Sequence, residues 1–290
     1  PVRVLIVRNT NLAHSNMSGL DYGNAMVAAE TLSQLNVEFD IAMDRDLCYG
    51  PEQYKVDLTP YRLVILPTAA IDNPDGTYDV LDRWLSDPQH AGERVLAIGR
   101  SDNRGPRLQP HQGFSGALRR WTGCEDYSGA VPLQGDQSVV LTSGGQEREL
   151  SVDFGKLPPT GTLVSGEPLL RTAGGETIGR RFSYQGNTVC AFGFYLGIAH
   201  EPLWGLNPEQ DPRDALVPIY EELARAAGVD RPILAPHNLR VYLATDGKML
   251  LIRERAGLPT DAEVALRLPE GVQYPDLRME RGEDGYTRFQ

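Results

Sequence analysis

The stretch RVLAIGRSDNRG, from Arg94 to Gly105, passes from a continuous apolar segment into a tight polar one and sets a hydroxyl, Ser101, just beyond the join. A serine there is placed as a nucleophile would be on a strand-to-helix elbow, provided small residues flank it and let the backbone fold sharply. Gly99 stands two residues before Ser101, but Asn103 stands two after it, so the G-x-S-x-G pattern is half present. Far downstream, His200 and Glu201 are of the types that would take the serine's proton and orient the base. The same string also reads as a strand ending in a polar turn, with Gly99 supplying a positive φ, and this reading is preferred. His200, on a polar loop with Trp204, likewise reads as solvated or packed on that ring.

Other chemistries find less support. Glycoside hydrolysis needs two carboxyl groups at a set separation across a sugar. Glu221-Glu222 lie on one helical segment, with Glu222 expected on its solvated side, while Asp44, Asp46, Asp72 and Asp75 fall in turn-like sequence, where Asp serves as a cap. The five histidines, at 14, 90, 111, 200 and 237, form no i,i+4 pair, so no metal site is expected. The loop RNTNLAHSNMSG holds a single glycine, which disfavours a nucleotide cofactor, and no cofactor is expected. Cys48, Cys124 and Cys190 are spaced for neither a metal clip nor a disulfide framework; they read as buried small apolar residues, compatible with a reducing, cytoplasmic setting. Tyr22, Trp84, Trp121, Tyr195 and Trp204 offer sugar-stacking faces, but aromatics on element faces more often belong to the core.

Composition bounds the class. The 290 residues carry 39 acidic against 28 basic side chains, a net charge of −11, with no basic cluster to neutralise phosphates, so a nucleic-acid partner is not expected. Membrane insertion is not expected either, because no apolar run approaches the roughly 20 residues that span a bilayer. The chain opens on Pro1 and then VRVLIV, a run typical of a strand buried on both faces, and is expected to be a piece of a longer polypeptide.

The elements that must position these residues follow from periodicity. After VRVLIV comes a helix from about Asp21 to Leu35, with Tyr22, Ala25, Met26, Ala29 and Leu32 at helical spacing. VEFDI is a second strand, Tyr61 to Leu66 a third closed by Pro67, YDVLDRWLS a helix ended by Pro88, and RVLAIG a fourth strand. Continuous apolar strands alternating with helices imply an α/β fold with a parallel, flavodoxin-like or amidotransferase-like sheet. In such a sheet a crevice opens at the carboxyl ends of strands one and three, with strand four beside it, and the residues leaving those strands are Arg8, Asn9, Thr68, Arg100, Ser101 and Asp102. They suit a small anion or a sugar, although mutual hydrogen bonding and water satisfy them equally well and are preferred.

From about 124 to 188 short apolar runs between glycines and prolines replace helical periodicity, which reads as a β-rich insertion with hairpins at Gly144-Gly145 and around Gln185-Gly186-Asn187. Val189 to Leu196 returns to the main sheet. A last helix carries Leu216, Tyr220, Leu223, Ala224 and Ala227 on one face, starts or kinks near Pro218 and stops at Gly228. Past the linker Asp230 to Pro236, LRVYLATDGKMLLIRER is a hairpin turning at Asp246-Gly247, and EVALRLP is a further strand. The expected division is an α/β domain over 1–230 and a small all-β domain over 231–290, too small to stand without the larger one.

The runs MVAAETLSQLNVEFDIAMDRDL, YRLVILPTAA and LVPIYEELARAAGV, followed by LRVYLATDGKMLLI, together resemble the C-terminal part of glycoside hydrolase family 42 β-galactosidases. The resemblance covers most of the chain by element order. It implies a trimerisation domain with a class I glutamine amidotransferase-like fold followed by a small β domain, hence a homo-oligomer, a trimer, and an N-terminal catalytic domain in a longer chain. The catalytic glutamates of that family lie on a preceding barrel, so no catalytic residue carries over. The β-rich segment and the loop IAHEPLWGLNPEQDP exceed what such a domain needs. The rival class is an amidotransferase-like hydrolase using Ser101 and His200, with Glu201 as orienting carboxylate. Cysteine would be the nucleophile expected there, and none of the three stands at the turn.

Overall fold

The computed structural model describes residues 3–9, 18–48, 55–70, 76–102, 114–154, 160–197, 213–231, 233–235, 239–243, 249–253, 263–268 and 279–289. Strand β1 (Arg3–Arg8) leads to helix α1 (Ser18–Gln34), β2 (Phe39–Met43), β3 (Tyr61–Leu66), a short β4 (Ala69–Ala70), α2 (Thr77–Leu85), β5 (Val95–Ile98), a short β6 (Ser101–Asp102) and α3 (Gly116–Thr122). There follow β7 (Gly129–Val131), β8 (Asp136–Ser143), β9 (Gln146–Asp153), β10 (Thr160–Thr162), β11 (Glu167–Thr172), β12 (Thr177–Tyr184) and β13 (Asn187–Phe192). Helix α4 (Arg213–Ala226) precedes β14 (Ile233–Leu234), β15 (Leu239–Leu243), β16 (Met249–Arg253), β17 (Val264–Leu266), β18 (Met279–Arg281) and β19 (Thr287–Phe289).

A nine-stranded sheet in the order β2-β1-β3-β5-β13-β12-β11-β8-β9 organises the chain. From β2 to β13 every pairing is parallel, and from β13 to β9 every pairing is antiparallel. Strands β8, β9, β11 and β12, within the segment that the sequence sets off as β-rich, therefore prolong the main sheet, while β7 and β10 pair with each other beside it. Two-residue turns set the hairpin registers. Gly144 and Gly145 have φ of 55° and 80°, and Gln185 and Gly186 have 50° and 81°. Two successive positive φ values make the turn whose twist matches that of the flanking strands.

The inner parallel strands β1, β3 and β5 are apolar on both faces because both faces are covered. Val4 and Ile6 of β1 enter the core beneath α1 and α4, with Leu32, Leu35, Leu216, Tyr220 and Leu223. Leu5 and Val7 enter the opposite core beneath α2 and α3, with Leu81, Trp84, Leu118 and Trp121. Trp84, Trp121 and Tyr195 are accordingly buried, whereas Tyr22 is half exposed with Arg8 over its ring at 5.4 Å. Helix α4 already begins at Arg213, so Pro218 lies inside it.

Glu222 corrects the sequence reading. It is buried, not solvated: its carboxylate accepts hydrogen bonds from the Ser143 hydroxyl, from Arg181 Nη2 at 2.7 Å, and from Arg225 Nε and Nη2 at 2.8 and 2.7 Å. Because β8 and β12 extend the sheet beneath α4, the helix side that would otherwise meet water meets strands.

The C-terminal residues form small antiparallel sheets. β14-β17-β19-β18 make one, and β15 and β16 pair as the expected hairpin, with the Asp246-Gly247 turn outside the described residues. Ile233, Val241, Val264, Leu266 and Phe289 share an apolar cluster. Polar contacts tie this part to the end of α1: Arg231 Nε donates to the Leu35 carbonyl at 3.2 Å and the Val241 N–H to Asn36 Oδ1 at 3.2 Å. Among the described residues no helix is long and apolar enough to cross a membrane.

Candidate functional site

The connection leaving β1 runs to β2 on one side and the connection leaving β3 runs toward β5 on the other, which is where an open parallel sheet leaves a crevice. Asn9 leaves β1 and Thr68 follows β3, both buried, and with Arg8 they line a small cavity there. Asp44, Thr77 and Tyr78 also line it, with Val7, Leu66 and Ala69. The Thr77 hydroxyl donates to the Asp44 carbonyl at 2.9 Å, and Asp44 Oδ1 accepts from the Arg45 N–H at 2.7 Å. The cavity encloses about 10 Å³, room for about one water. Arg8, Asn9 and Thr68 thus line one cavity with Asp44 and Thr77, of which the last two bond to each other. Asp44 and Thr77 were not anticipated as part of it. Asp44 is the first residue past β2, so the rule applied to strands one and three would have found it if extended to strand two.

Arg100 turns the other way. Its N–H donates to the Phe194 carbonyl at 2.7 Å, and its guanidinium lies over the Tyr195 ring at 6.0 Å. Ser101 and Asp102 then form β6, pairing in parallel with β4 as Ala69 with Ser101 and Ala70 with Asp102. An elbow turns from strand into helix at its nucleophile. Here the backbone stays extended through Ser101, and the next described helix begins at Gly116. The side chains of Ser101 and Asp102, and the whole of His200 and Glu201, lie outside the described residues.

Gly99 also has a role other than the positive φ read from sequence. It has no positive φ; a Cβ there would lie 2.0 Å from the Pro67 carbonyl oxygen and 3.0 Å from the Leu196 nitrogen. Three chain segments meet at this point. Gly99 N–H donates to the Leu66 carbonyl at 2.8 Å and Leu196 N–H to the Pro67 carbonyl at 3.0 Å. Behind them the Tyr220 hydroxyl donates to the Leu196 carbonyl at 2.6 Å, and the Gly197 N–H to Asn24 Oδ1 at 2.9 Å. The chain's own backbone occupies the space beyond β5 and β13.

The titratable groups follow their surroundings. Burial pushes the Cys190 thiol up to about 12, which leaves it protonated and no nucleophile at neutral pH. No disulfide joins Cys48, Cys124 and Cys190. Among the described residues no cluster of three or more His, Cys, Asp or Glu is placed to hold a metal ion. His90 hydrogen-bonds Glu93 at 3.0 Å, and the other four histidines lie outside the described residues.

No family model matches the sequence, and no curated protein matches it. Solved structures do match its fold, among them parts of larger glycoside hydrolases. An α-L-fucosidase, isoenzyme 2 from Paenibacillus thiaminolyticus, aligns over 100% of this chain and 46% of its own, with a TM-score of 0.53 and 13% identity. More particularly, a β-galactosidase from Bacillus circulans sp. alkalophilus aligns over 92% of this chain and 35% of its own, with a TM-score of 0.56 and 14% identity. Gan42B, a GH42 β-galactosidase from G. stearothermophilus, aligns over 92% and 36%, with a TM-score of 0.58 and 12% identity. The chain spans about a third of the length of these β-galactosidases. At such identities the likeness is one of fold.

Proposed function

We propose that the chain is a non-catalytic structural and oligomerisation region of a carbohydrate-active, β-galactosidase-like glycoside hydrolase, whose catalytic barrel lies elsewhere in a longer polypeptide. The observation that carries this reading is the alignment of nearly the whole chain with about a third of two β-galactosidases. The order β2-β1-β3-β5-β13 supports a flavodoxin-like or amidotransferase-like α/β domain over 1–230, followed by a small β domain over 231–290. The region assembles as a homo-oligomer, a trimer by the family resemblance, and works in the cytoplasm. The exposed apolar side chains Tyr22 and Ile41 are consistent with an interface.

Light scattering on the purified chain should then give a mass about three times the 31.9 kDa of one copy. A monomer alone at micromolar concentration would count against assembly. The same preparation should turn over neither nitrophenyl glycosides nor nitrophenyl esters. The rival use of Ser101 has its own test. Ser101→Ala should shift stability by no more than about 0.5–1 kcal/mol in thermal melts, as for a turn hydroxyl, and a fluorophosphonate should leave the parent chain unlabelled. Labelling confined to Ser101 and abolished by His200→Ala would replace the structural reading with the hydrolase.

A further inference from the structure

A second cavity among the described residues lies away from the crevice, along the outer side of α2. One wall is the connection from β2 to β3, from Lys55 to Thr59, and the other is α2 itself, with Asp79, Val80 and Arg83; Arg94 and Asp87 close the far end. It encloses about 770 Å³, within the range of small-molecule sites. Leu47, Leu58 and Trp84, all buried, make an apolar floor.

The rim is polar and balanced. Lys55, Arg83 and Arg94 face Asp57, Asp79 and Asp87, so the formal charges cancel in a chain of net charge −11. Arg94 is buried and held in place, donating to the Trp84 carbonyl and to Asp87 at 3.1 Å. Hydrogen bonds from Thr59 hold the Asp57 carboxyl below the usual range, so it is an ionised acceptor. Asp79 and Arg83, one helical turn apart and exposed, make no ion pair among the described residues and keep their hydrogen-bonding capacity for another partner.

Because Arg94 and Asp87 neutralise each other, a ligand meets Lys55 and Arg83 beside Asp57 and Asp79, so neither an anion nor a cation finds an excess of opposite charge. A hydroxyl both donates and accepts, so neighbouring hydroxyls can bridge a carboxylate and a guanidinium, while C–H faces lie on the apolar floor. We propose that the groove between α2 and the stretch from Lys55 to Thr59 binds a neutral polyhydroxylated ligand, a mono- or disaccharide. The proposal stands on the groove alone: a monomeric chain that binds sugar, or a trimer that does not, would separate it from the oligomerisation reading.

Calorimetry and tryptophan fluorescence of the 290-residue chain titrated with galactose, lactose and cellobiose provide the test. A millimolar Kd for at least one of them is expected, weakened at least tenfold in Asp79→Ala/Arg83→Ala with the melting midpoint unchanged. If that variant melts early, Thr59→Trp on the opposite wall takes its place, with the same loss expected. No response up to about 50 mM, well above a millimolar Kd, or binding that survives the wall variants, would overturn the assignment. Saturable binding of inorganic phosphate or glycine in place of the sugars would overturn it equally.

Discussion

Gly99→Ala is expected to cost at least about 3 kcal/mol, the upper end for overpacking, and to lower the thermal midpoint by about 6–12 °C for a chain of this size. The added methyl would fall 2.0 Å from the Pro67 carbonyl oxygen and 2.8 Å from its carbon. Both are backbone atoms of a connection already bonded on its other side, so no side-chain rotation relieves the clash. Moving Pro67 away would break the bond it accepts from Leu196, and moving Gly99 would break the bond it donates to Leu66. Circular dichroism melts of the variant beside Ser101→Ala make the comparison internal, because the two substitutions lie two residues apart on the same stretch of chain. A midpoint shift for Gly99→Ala no larger than that for Ser101→Ala would show that the three segments do not meet as described.

The second large effect is expected at Glu222. Removing one member of a buried ion pair costs roughly 3–5 kcal/mol when it strands a charge. Glu222→Ala should fall at the low end of that range, because Arg225 is half exposed and Arg181 keeps Glu167 at 3.6 Å. Burial by itself would raise the Glu222 carboxyl, but hydrogen bonds from Arg225 and Ser143 and the charges of Arg225 and Arg181 outweigh it and hold it below the usual carboxylate range. A carboxyl with a depressed folded-state pKa contributes stability that is present above its unfolded value, near 4.5, and is lost as pH falls through the folded value. Urea denaturation at successive pH values should therefore show a steeper acid loss for the parent than for Glu222→Gln. Identical acid slopes would remove Glu222 from the account.

Much of this was legible beforehand, for local reasons. Periodicity marks where strands and helices run, and two-residue turns at Gly144-Gly145 and Gln185-Gly186 set hairpin registers within a few residues. Of the residues that the topological rule names, Arg8, Asn9 and Thr68 line one small cavity, while Arg100 packs over Tyr195. Partner choice at long range was not legible. β11 pairs with β8 across the intervening β9 and β10, and nothing in either strand names the other. The burial of Glu222 depends on that choice, since only a continued sheet brings Ser143 and Arg181 under α4. Gly99 escaped for a related reason: a glycine needed for close approach looks, in sequence, like one needed for a turn. On the far edge, β9 reads QERELSVD, and such charges discourage a further strand from adding there.

The position of β13 has a consequence for how the chain assembles during synthesis. The parallel half of the sheet is complete through β5 at Ile98, and its antiparallel half through β12 at Tyr184, yet the strand joining them spans Asn187 to Phe192. Until the ribosome releases those six residues, β5 and β12 each present an unpaired edge, the condition under which partly made sheets associate with other chains. β13 first meets β12 through a two-residue turn, a fast local step, and then docks its other edge on β5, matching Val95 with Thr188 at long range along the chain. Closure of the whole sheet therefore waits on a single late strand, and a chain stalled before it carries two open half-sheets.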